Sequence, residues 1–140
     1  MVRMQGVTVL ELLACLVLLV TIAGTGTLGL PGVMASVRLS GTAHRLSAAL
    51  RQARGLALER GGPVEILFDE TANLWEMHEP NGPSMGREVL PPGITFAGLP
   101  SNRRVRFSAV GTTDNATVVL GAGRVVRRVV VNQRGRVRVQ

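Results

Sequence analysis

The sequence predicts an α+β protein in which one long N-terminal helix packs on an antiparallel β-sheet domain. Three observations support this fold class. Residues 6–30 are almost entirely apolar, residues 39–57 carry apolar side chains at three- and four-residue steps, and short apolar or alternating runs fill the chain from Val64 onward. Helical periodicity followed by strand periodicity is typical of a helix laid against an antiparallel sheet. About 100 residues follow the apolar run, which is enough for one small domain.

The first half of the predicted helix is the apolar run of residues 6–30, which contains one acid, Glu11. At about 1.5 Å per residue, such a helix crosses the roughly 30 Å hydrocarbon layer of a bilayer. A carboxylate near the bilayer centre costs about 2.5–3.5 kcal/mol, so Glu11 needs a partner or a shallow position. The run is longer than the core of a cleavable secretory signal, although Ala35-Ser36-Val37 resembles a weak cleavage site. The apolar run has two other interpretations. It is a plain signal anchor, or it is the new N-terminus of a chain that is cut after Gly6.

The second half of the helix, residues 31–62, is predicted to be amphipathic. Pro31-Gly32 indicates a kink where the membrane span would end. Gly61-Gly62-Pro63 then ends the helix. The arginines of this segment lie mostly off the apolar stripe, which is expected to face the sheet. The stripe consists of Leu39, Ala43, Leu46, Leu50, Ala53 and Ala57.

Eight short strands are predicted in residues 63–140, separated by Gly, Pro, Asn and Asp residues that favour turns. Gly121-Ala122-Gly123 and Gln133-Arg134-Gly135 are each expected to close a hairpin. Arg127 and Arg128 point to opposite faces, so one of them lies toward the helix, at an edge or in a bulge. The predicted strands are Val64–Phe68, Leu74–His78, Glu88–Leu90, Ile94–Phe96, Arg103–Ser108, Thr117–Leu120, Val125–Val131 and Arg136–Val139.

Positive charge is concentrated at the C-terminal end of the chain. Residues 1–100 hold seven arginines and eight acids, whereas residues 101–140 hold nine arginines and one acid, Asp114. The last 40 residues therefore carry a net charge of +8 in a chain whose total is +7. Such asymmetry indicates a polyanionic partner, or alternatively a solvated basic face.

The N-terminal residues Gly6-Val7-Thr8-Val9-Leu10-Glu11 resemble the cleavage and methylation motif of type IV prepilins and type II secretion pseudopilins. The resemblance implies that a prepilin peptidase cuts after Gly6 and methylates Val7. It also implies that Glu11 is the assembly carboxylate, which pairs with the terminal amine of a neighbouring subunit. Val7 and Val9 depart from the residues that are common at those positions of the motif.

Three further segments resemble the GspH/FimT family of minor pilins and pseudopilins. The first runs from Leu50–Arg54 to Glu59-Arg60 and is followed by Pro63-Val64. The second is Phe107-Ser108 followed by Gly111, and the third is Gly135-Arg136-Val137-Arg138. In one branch of that family, a closing Gly-Arg-x-Arg motif binds DNA. The resemblance therefore implies a DNA-binding site at Gly135, Arg136 and Arg138, which Arg134 could extend.

Two arginines two positions apart on a strand stand about 6.6 Å apart on one face. Their guanidinium groups can each bind phosphate oxygens through two hydrogen bonds. Arginines on a terminal strand also prevent aggregation between sheet edges, which is the alternative explanation for Arg136 and Arg138. No aromatic residue in the sequence lies near this segment to stack on bases.

No enzymatic activity is predicted. His44 and His78 are the two histidines, and Cys15 lies in the apolar run, so no nucleophile or metal cluster is expected. Asp69-Glu70 and the Glu76/Glu79 pair are more simply surface or turn acids than a catalytic pair. Trp75 is expected to pack in the core. No cofactor or metal is expected.

Together, the residues and the resemblance predict a minor pseudopilin or pilin with a pilin-like fold. The expected segments are a leader at 1–6, a transmembrane and filament-core helix at 7–30, its amphipathic continuation at 31–62, and a β-rich periplasmic domain at 63–140. The expected location is the bacterial inner membrane, as a single-pass protein whose C-terminal domain faces the periplasm or joins a filament. The expected partners are other pilin or pseudopilin subunits, the prepilin peptidase, the inner membrane and, in the alternative function of DNA uptake, DNA.

Overall fold

The computed structural model describes residues 8–25 and 30–140, and the side chains of residues 8–21 and 32–140. The chain divides into two compact units, Met1–Met34 and Ala35–Gln140. The leader, Gly6 and Val7 lie outside the described residues.

Helix α1, Val9–Thr25, begins directly after Thr8. The Glu11 backbone N–H donates to the Thr8 carbonyl oxygen at 3.0 Å and lies 3.4 Å from the Thr8 Oγ1 atom, so Thr8 occupies the N-cap position. Within the described residues, no helix combines the length and the apolar content that a bilayer crossing requires. The predicted span of residues 7–30 also includes Val7 and residues 26–29, which are not described.

Helix α2, Leu30–Arg60, has the predicted apolar stripe on its buried side. All six stripe residues are completely buried, which confirms the predicted apolar stripe. The helix ends at Arg60 and is followed by Gly61, whose φ of 63° is the left-handed conformation common after a helix C-terminus. The Pro63 ring follows and cannot continue the helix.

Eight strands follow α2, at the eight predicted places. They are β1 Val64–Asp69, β2 Leu74–His78, β3 Ser84–Val89, β4 Thr95–Gly98, β5 Arg104–Phe107, β6 Ala116–Ala122, β7 Val125–Val131 and β8 Val137–Val139. The main boundary error concerns β3, which begins four residues before the predicted Glu88. This edge strand exposes most of its side chains on both faces, so it carries no alternating apolar pattern.

The strands pair antiparallel, as predicted, but they form two sheets instead of the one sheet expected from the sequence. One has the order β3-β2-β1-β5 and the other the order β4-β6-β7-β8. The chain crosses between the sheets three times after β3, since β4 and β6 join the second sheet while β5 returns to pair with β1. Hydrophobic periodicity identifies strands but not their neighbours, which depend on contacts distant in sequence.

The core of the second unit lies among α2 and the two sheets. The stripe of α2 shares one buried cluster with Ile66 and Phe107 of the first sheet and with Val118 and Val129 of the second. Phe68 of β1 and Phe96 of β4 contact each other edge to face, with ring centroids 5.7 Å apart. This aromatic pair links the two sheets within the core.

Candidate functional site

The predicted assembly carboxylate, Glu11, lies in the first turn of α1. Every described side chain of this helix, from Val9 to Thr21, is exposed. Leu10 is 79% exposed and Val20 is 64% exposed, although these residue types are normally buried. A helix that is apolar on all sides and exposed in the single chain has a surface suited to lipid or to neighbouring subunits.

The predicted DNA-binding residues lie in the C-terminal hairpin formed by β7 and β8. The turn between the strands is held by Asn132, whose side-chain Oδ1 accepts the Arg136 N–H at 2.8 Å and whose carbonyl accepts the Gly135 N–H at 2.8 Å. At the other end, Arg128 and Gln140 exchange two backbone hydrogen bonds of 2.8 Å. The hairpin predicted around Gln133-Arg134-Gly135 is thus present and closed at both ends.

The two arginines of the Gly-Arg-x-Arg segment share one exposed face. Arg136 and Arg138 are exposed while Val137 between them is buried, as alternation predicts. The groove beside them, of about 230 Å³, is lined by Val130, Asn132, Arg136, Arg138 and Gln140. Arg128 lies on the same face of β7 as Val130 and is also exposed. Arg134 is exposed in the turn.

The consecutive pair Arg127-Arg128 points to opposite faces of β7, as the sequence requires. Arg127 lies on the face that buries Val129 and Val131, but near the hairpin end, where it is half-buried. Its Nη1 atom donates to the carbonyl of Val126 at 3.2 Å. Arg127 is therefore the member of the pair that lies on the core side of β7.

The arginines differ in their electrostatic partners. Four arginines form ion pairs with acids: Arg45 with Glu88, Arg60 with Glu79, Arg103 with Glu70 and Arg104 with Glu65. In the described part of the chain, none of the six arginines from Arg124 to Arg138 has a carboxylate within 4 Å. The positive charge of the hairpin is therefore not neutralised by the fold.

Gly135 is required by packing against α2 and not only by the turn. Its φ is 71°, and a Cβ atom there would lie 2.4 Å from the Gly111 carbonyl oxygen and 2.6 Å from the Arg54 Nε atom. The Arg54 Nε–H donates to that same Gly111 oxygen at 3.0 Å. The three segments that resemble the GspH/FimT family, which are separate in sequence, thus meet at Arg54, Gly111 and Gly135.

A second arginine of α2 contacts the hairpin. Arg51 Nη2 lies 3.4 Å from the carbonyl oxygen of Val137. Because Arg136 and Gln140 make the hydrogen bonds to β7, Val137 presents its carbonyl to the free edge of β8. The sequence predicts that the arginines of this helix lie mostly off the apolar stripe, and it predicts no contact between them and the sheets. The position of Arg51 and Arg54, one turn apart beside that stripe, is a sequence feature that could have indicated contact with the sheet.

The other residues considered as functional candidates lie in turns, on the surface, beside an acid or in the core. Asp69 Oδ1 accepts the backbone N–H groups of Thr71 and Ala72 at 2.9 Å each, so it forms the turn after β1. His44 is exposed, whereas His78 Nε2 lies 3.8 Å from Glu65. Trp75 is buried in the core. Among the described residues, no group of three His, Cys, Asp or Glu side chains is arranged to hold a metal ion.

Comparison with known proteins finds a family model and solved structures that match this chain. A family model described as type II transport protein GspH matches residues 42–135, about two thirds of the chain. Two structural matches are the type IV minor pilin FimU of Pseudomonas aeruginosa PAO1 and the minor pseudopilin EpsH from the type 2 secretion system of Vibrio cholerae. No significant match was found among curated proteins.

The structural similarity extends over most of each chain. FimU superposes with a TM-score of 0.63 at 18% sequence identity, covering 73% of this chain and 87% of FimU. EpsH superposes with a TM-score of 0.59 at 13% identity, covering 74% of this chain and 96% of EpsH. At these identities the superpositions show a shared pilin-like fold.

Proposed function

This chain belongs to the GspH family of minor pilins and pseudopilins, and from that premise we propose that it is cut after Gly6, methylated on Val7 and built into a filament through its N-terminal helix. A subunit of this kind associates with other pilins or pseudopilins and is structural, not enzymatic. The observation that carries the proposal is the uniform exposure of the apolar α1 helix. Each Leu or Val side chain of α1 that becomes buried on assembly stabilises the filament by about 1.5–3 kcal/mol.

Before assembly, the N-terminal helix is proposed to lie in the bacterial inner membrane as a single-pass span, with the domain on the periplasmic side. The proposed span continues past Thr25 into residues that the structure does not describe. Lipid and neighbouring helices are chemically similar environments for α1, because both remove its apolar side chains from water. Transfer from membrane to filament then requires little change in the surroundings of the helix.

Glu11 is proposed to pair with the terminal amine of a neighbour's Val7 in the filament. The pair would neutralise a carboxylate that is otherwise costly in an apolar environment. A local role is also consistent with its position, because Thr8-Val9-Leu10-Glu11 has the Thr-x-x-Glu spacing of a capping box. The two roles differ in whether the negative charge is needed.

The Glu11→Ala and Glu11→Gln variants separate these roles. Both are expected to be cut by the peptidase, with an N-terminal peptide that begins at Val7 and carries an added methyl group by mass spectrometry. Both are expected to be lost from sheared filaments, because neither can form the ion pair. Glutamine retains the capping geometry, so normal incorporation of Glu11→Gln together with loss of Glu11→Ala would contradict the pairing role and leave a capping role.

Binding of DNA by the C-terminal hairpin is the second candidate function. The observation that favours it is the unneutralised charge of Arg128, Arg134, Arg136 and Arg138, of which the first, third and fourth share one face. Contacts of this type bind phosphates and position DNA without reading its sequence. Affinity would fall steeply as salt concentration rises, because phosphate contacts release bound counterions.

The test is DNA affinity of the full chain in detergent micelles over a salt series, beside Arg136→Ala/Arg138→Ala. The double variant is expected to reduce the slope of log affinity against log salt by about 2, since about 0.9 counterion is released per phosphate contact. Arg38→Ala/Arg87→Ala is the matched control, because it removes two exposed arginines far from the hairpin in sequence. An equal change in both double variants would mean non-specific attraction of a basic protein to a polyanion.

A further inference from the structure

A second groove, distinct from the arginine hairpin, separates the two sheets at one end of the β-domain. Its volume is about 430 Å³, and its walls are β5 with the preceding loop on one side and the loop of residues 113–115 with the start of β6 on the other. Arg104 and Arg106 line the first wall, while Asp114 and Thr117 line the second. Its backbone groups, more than its side chains, suggest a function.

The free edge of β5 presents unpaired backbone groups to this groove. The Phe68 N–H donates to the Arg103 carbonyl at 2.9 Å, so in the β1–β5 register the hydrogen-bonded residues of β5 are Val105 and Phe107. Arg104 and Arg106 therefore direct their backbone groups away from β1. The Arg104 N–H lies 3.4 Å from Asn102 Oδ1. In the described part of the chain, the Arg104 carbonyl and both backbone groups of Arg106 have no hydrogen-bond partner.

The opposite wall also contains an unpaired strand position. Arg128 of β7 bonds to β8, so alternation directs the backbone groups of Val129 and Val131 toward β6. The residues of β6 that face its other neighbour, β4, are then Thr117, Val119 and Gly121. Strand β4 ends at Gly98, opposite Val119, so Thr117 lies beyond the end of its neighbour.

The free edges of β8 and β5 differ in the groups that contact them. At β8, the side chain of Arg51 reaches the outward carbonyl of Val137. At β5, no described group makes a hydrogen bond to the outward backbone groups of Arg106. An uncovered strand edge beside a groove is the geometry that accepts an added strand from a partner.

We propose that the free edge of β5 binds an extended acidic segment of another protein as an added antiparallel strand. Residues of that strand opposite Arg104 and Arg106 would lie on the same face as these arginines, where acidic side chains would be favoured. Within the fold, Glu65 of β1 already stands opposite Arg106 and lies 3.6 Å from Arg104. A second copy of β5 is disfavoured as the occupant, because its arginines would face these arginines.

This proposal is independent of peptidase processing and of DNA binding, and a synthetic peptide tests it. The probe is a short, end-blocked peptide in which glutamate and valine alternate, with affinity for the full chain in micelles measured by fluorescence anisotropy. A peptide with lysine in place of glutamate is the charge control and is expected not to bind. Binding of the acidic peptide is expected to shift the backbone amide resonance of Arg106.

Two methylated peptides test whether the peptide binds as a strand. Glutamates opposite Arg104 and Arg106 donate their N–H groups to β5, whereas the valine N–H groups point away from β5. Methylation of the glutamate nitrogens is therefore expected to weaken binding about tenfold or more relative to methylation of the valine nitrogens. Equal affinity of the two methylated peptides, or no binding of the unmodified one, would overturn the proposal.

A pair of protein variants locates the site. Arg106→Glu is expected to abolish binding of the acidic peptide, because it reverses the charge at the edge of β5. Arg87→Glu makes the same charge change on β3, the opposite edge of the same sheet, and is expected to retain binding. Similar losses in both variants would mean attraction by net charge alone and would also overturn the proposal.

Discussion

The two helices of this chain are both rich in apolar residues but bury them differently. Helix α2 concentrates its apolar side chains in one stripe, and that stripe is completely buried against the β-domain. Helix α1 has apolar side chains on every side, and all those described are exposed. The partner of α2 is therefore encoded in the same chain.

The difference shows that an apolar helix can serve folding or assembly according to the pattern of its residues. A single stripe defines one buried face and leaves a polar face, from which Arg51 bonds to the C-terminal hairpin and Arg54 bonds to the Gly111 carbonyl. A helix without a polar face must be surrounded to be removed from water. Substitutions in one helix or the other test this distinction.

The largest expected difference lies between equivalent leucine substitutions. Leu50→Ala in the stripe of α2 is expected to lower the free energy of unfolding of the β-domain by about 2–5 kcal/mol, because it leaves a cavity in the core. Leu16→Ala in α1 removes the same atoms from a side chain that is 52% exposed, and is expected to change this free energy by less than about 0.5 kcal/mol. Denaturant unfolding of both variants in micelles measures the difference. A comparable loss in Leu16→Ala would show that α1 contributes to folding of the single chain.

A smaller effect is expected at the contact between α2 and the hairpin. Gly135→Ala places a methyl group against Arg54 and Gly111 and is expected to destabilise the fold by about 1–3 kcal/mol beyond the cost of its positive φ. Gly123→Ala is the matched control, because Gly123 has a similar φ of 62° but open space around its Cβ position. Equal destabilisation of the two variants would mean that Gly135 is needed only for backbone conformation.

The smallest effect is expected at the start of α1. Thr8→Ala removes the N-cap side chain and is expected to destabilise the first helical turn by about 1 kcal/mol. Faster hydrogen exchange at the Glu11 amide in micelles would show this loss, while unfolding of the β-domain stays unchanged. Thr21→Ala, in the same helix, is the control and should leave exchange at Glu11 unaltered. Unchanged exchange in Thr8→Ala would contradict the capping role of Thr8.

Much of the local structure was predictable because it depends on residues near one another in sequence. The buried stripe of α2 followed from its spacing, and the end of that helix followed from Gly61-Gly62-Pro63. The alternation of Arg136, Val137 and Arg138 correctly placed the two arginines on one exposed face. The start of β3 was missed, because an edge strand exposed on both faces lacks an apolar pattern.

The sequence by itself determined the family, the succession of helix and strands, the apolar character of the N-terminal segment and the basic C-terminal region. These properties are set by residue type and spacing within short segments. Only the tertiary structure decided that the strands form two sheets, that Arg54, Gly111 and Gly135 meet, and that Arg51 reaches the edge of β8 while the backbone groups of Arg106 at the edge of β5 have no partner among the described residues. Each of these depends on contacts between residues far apart in the chain, and the geometry of those contacts is fixed when the whole core packs at once.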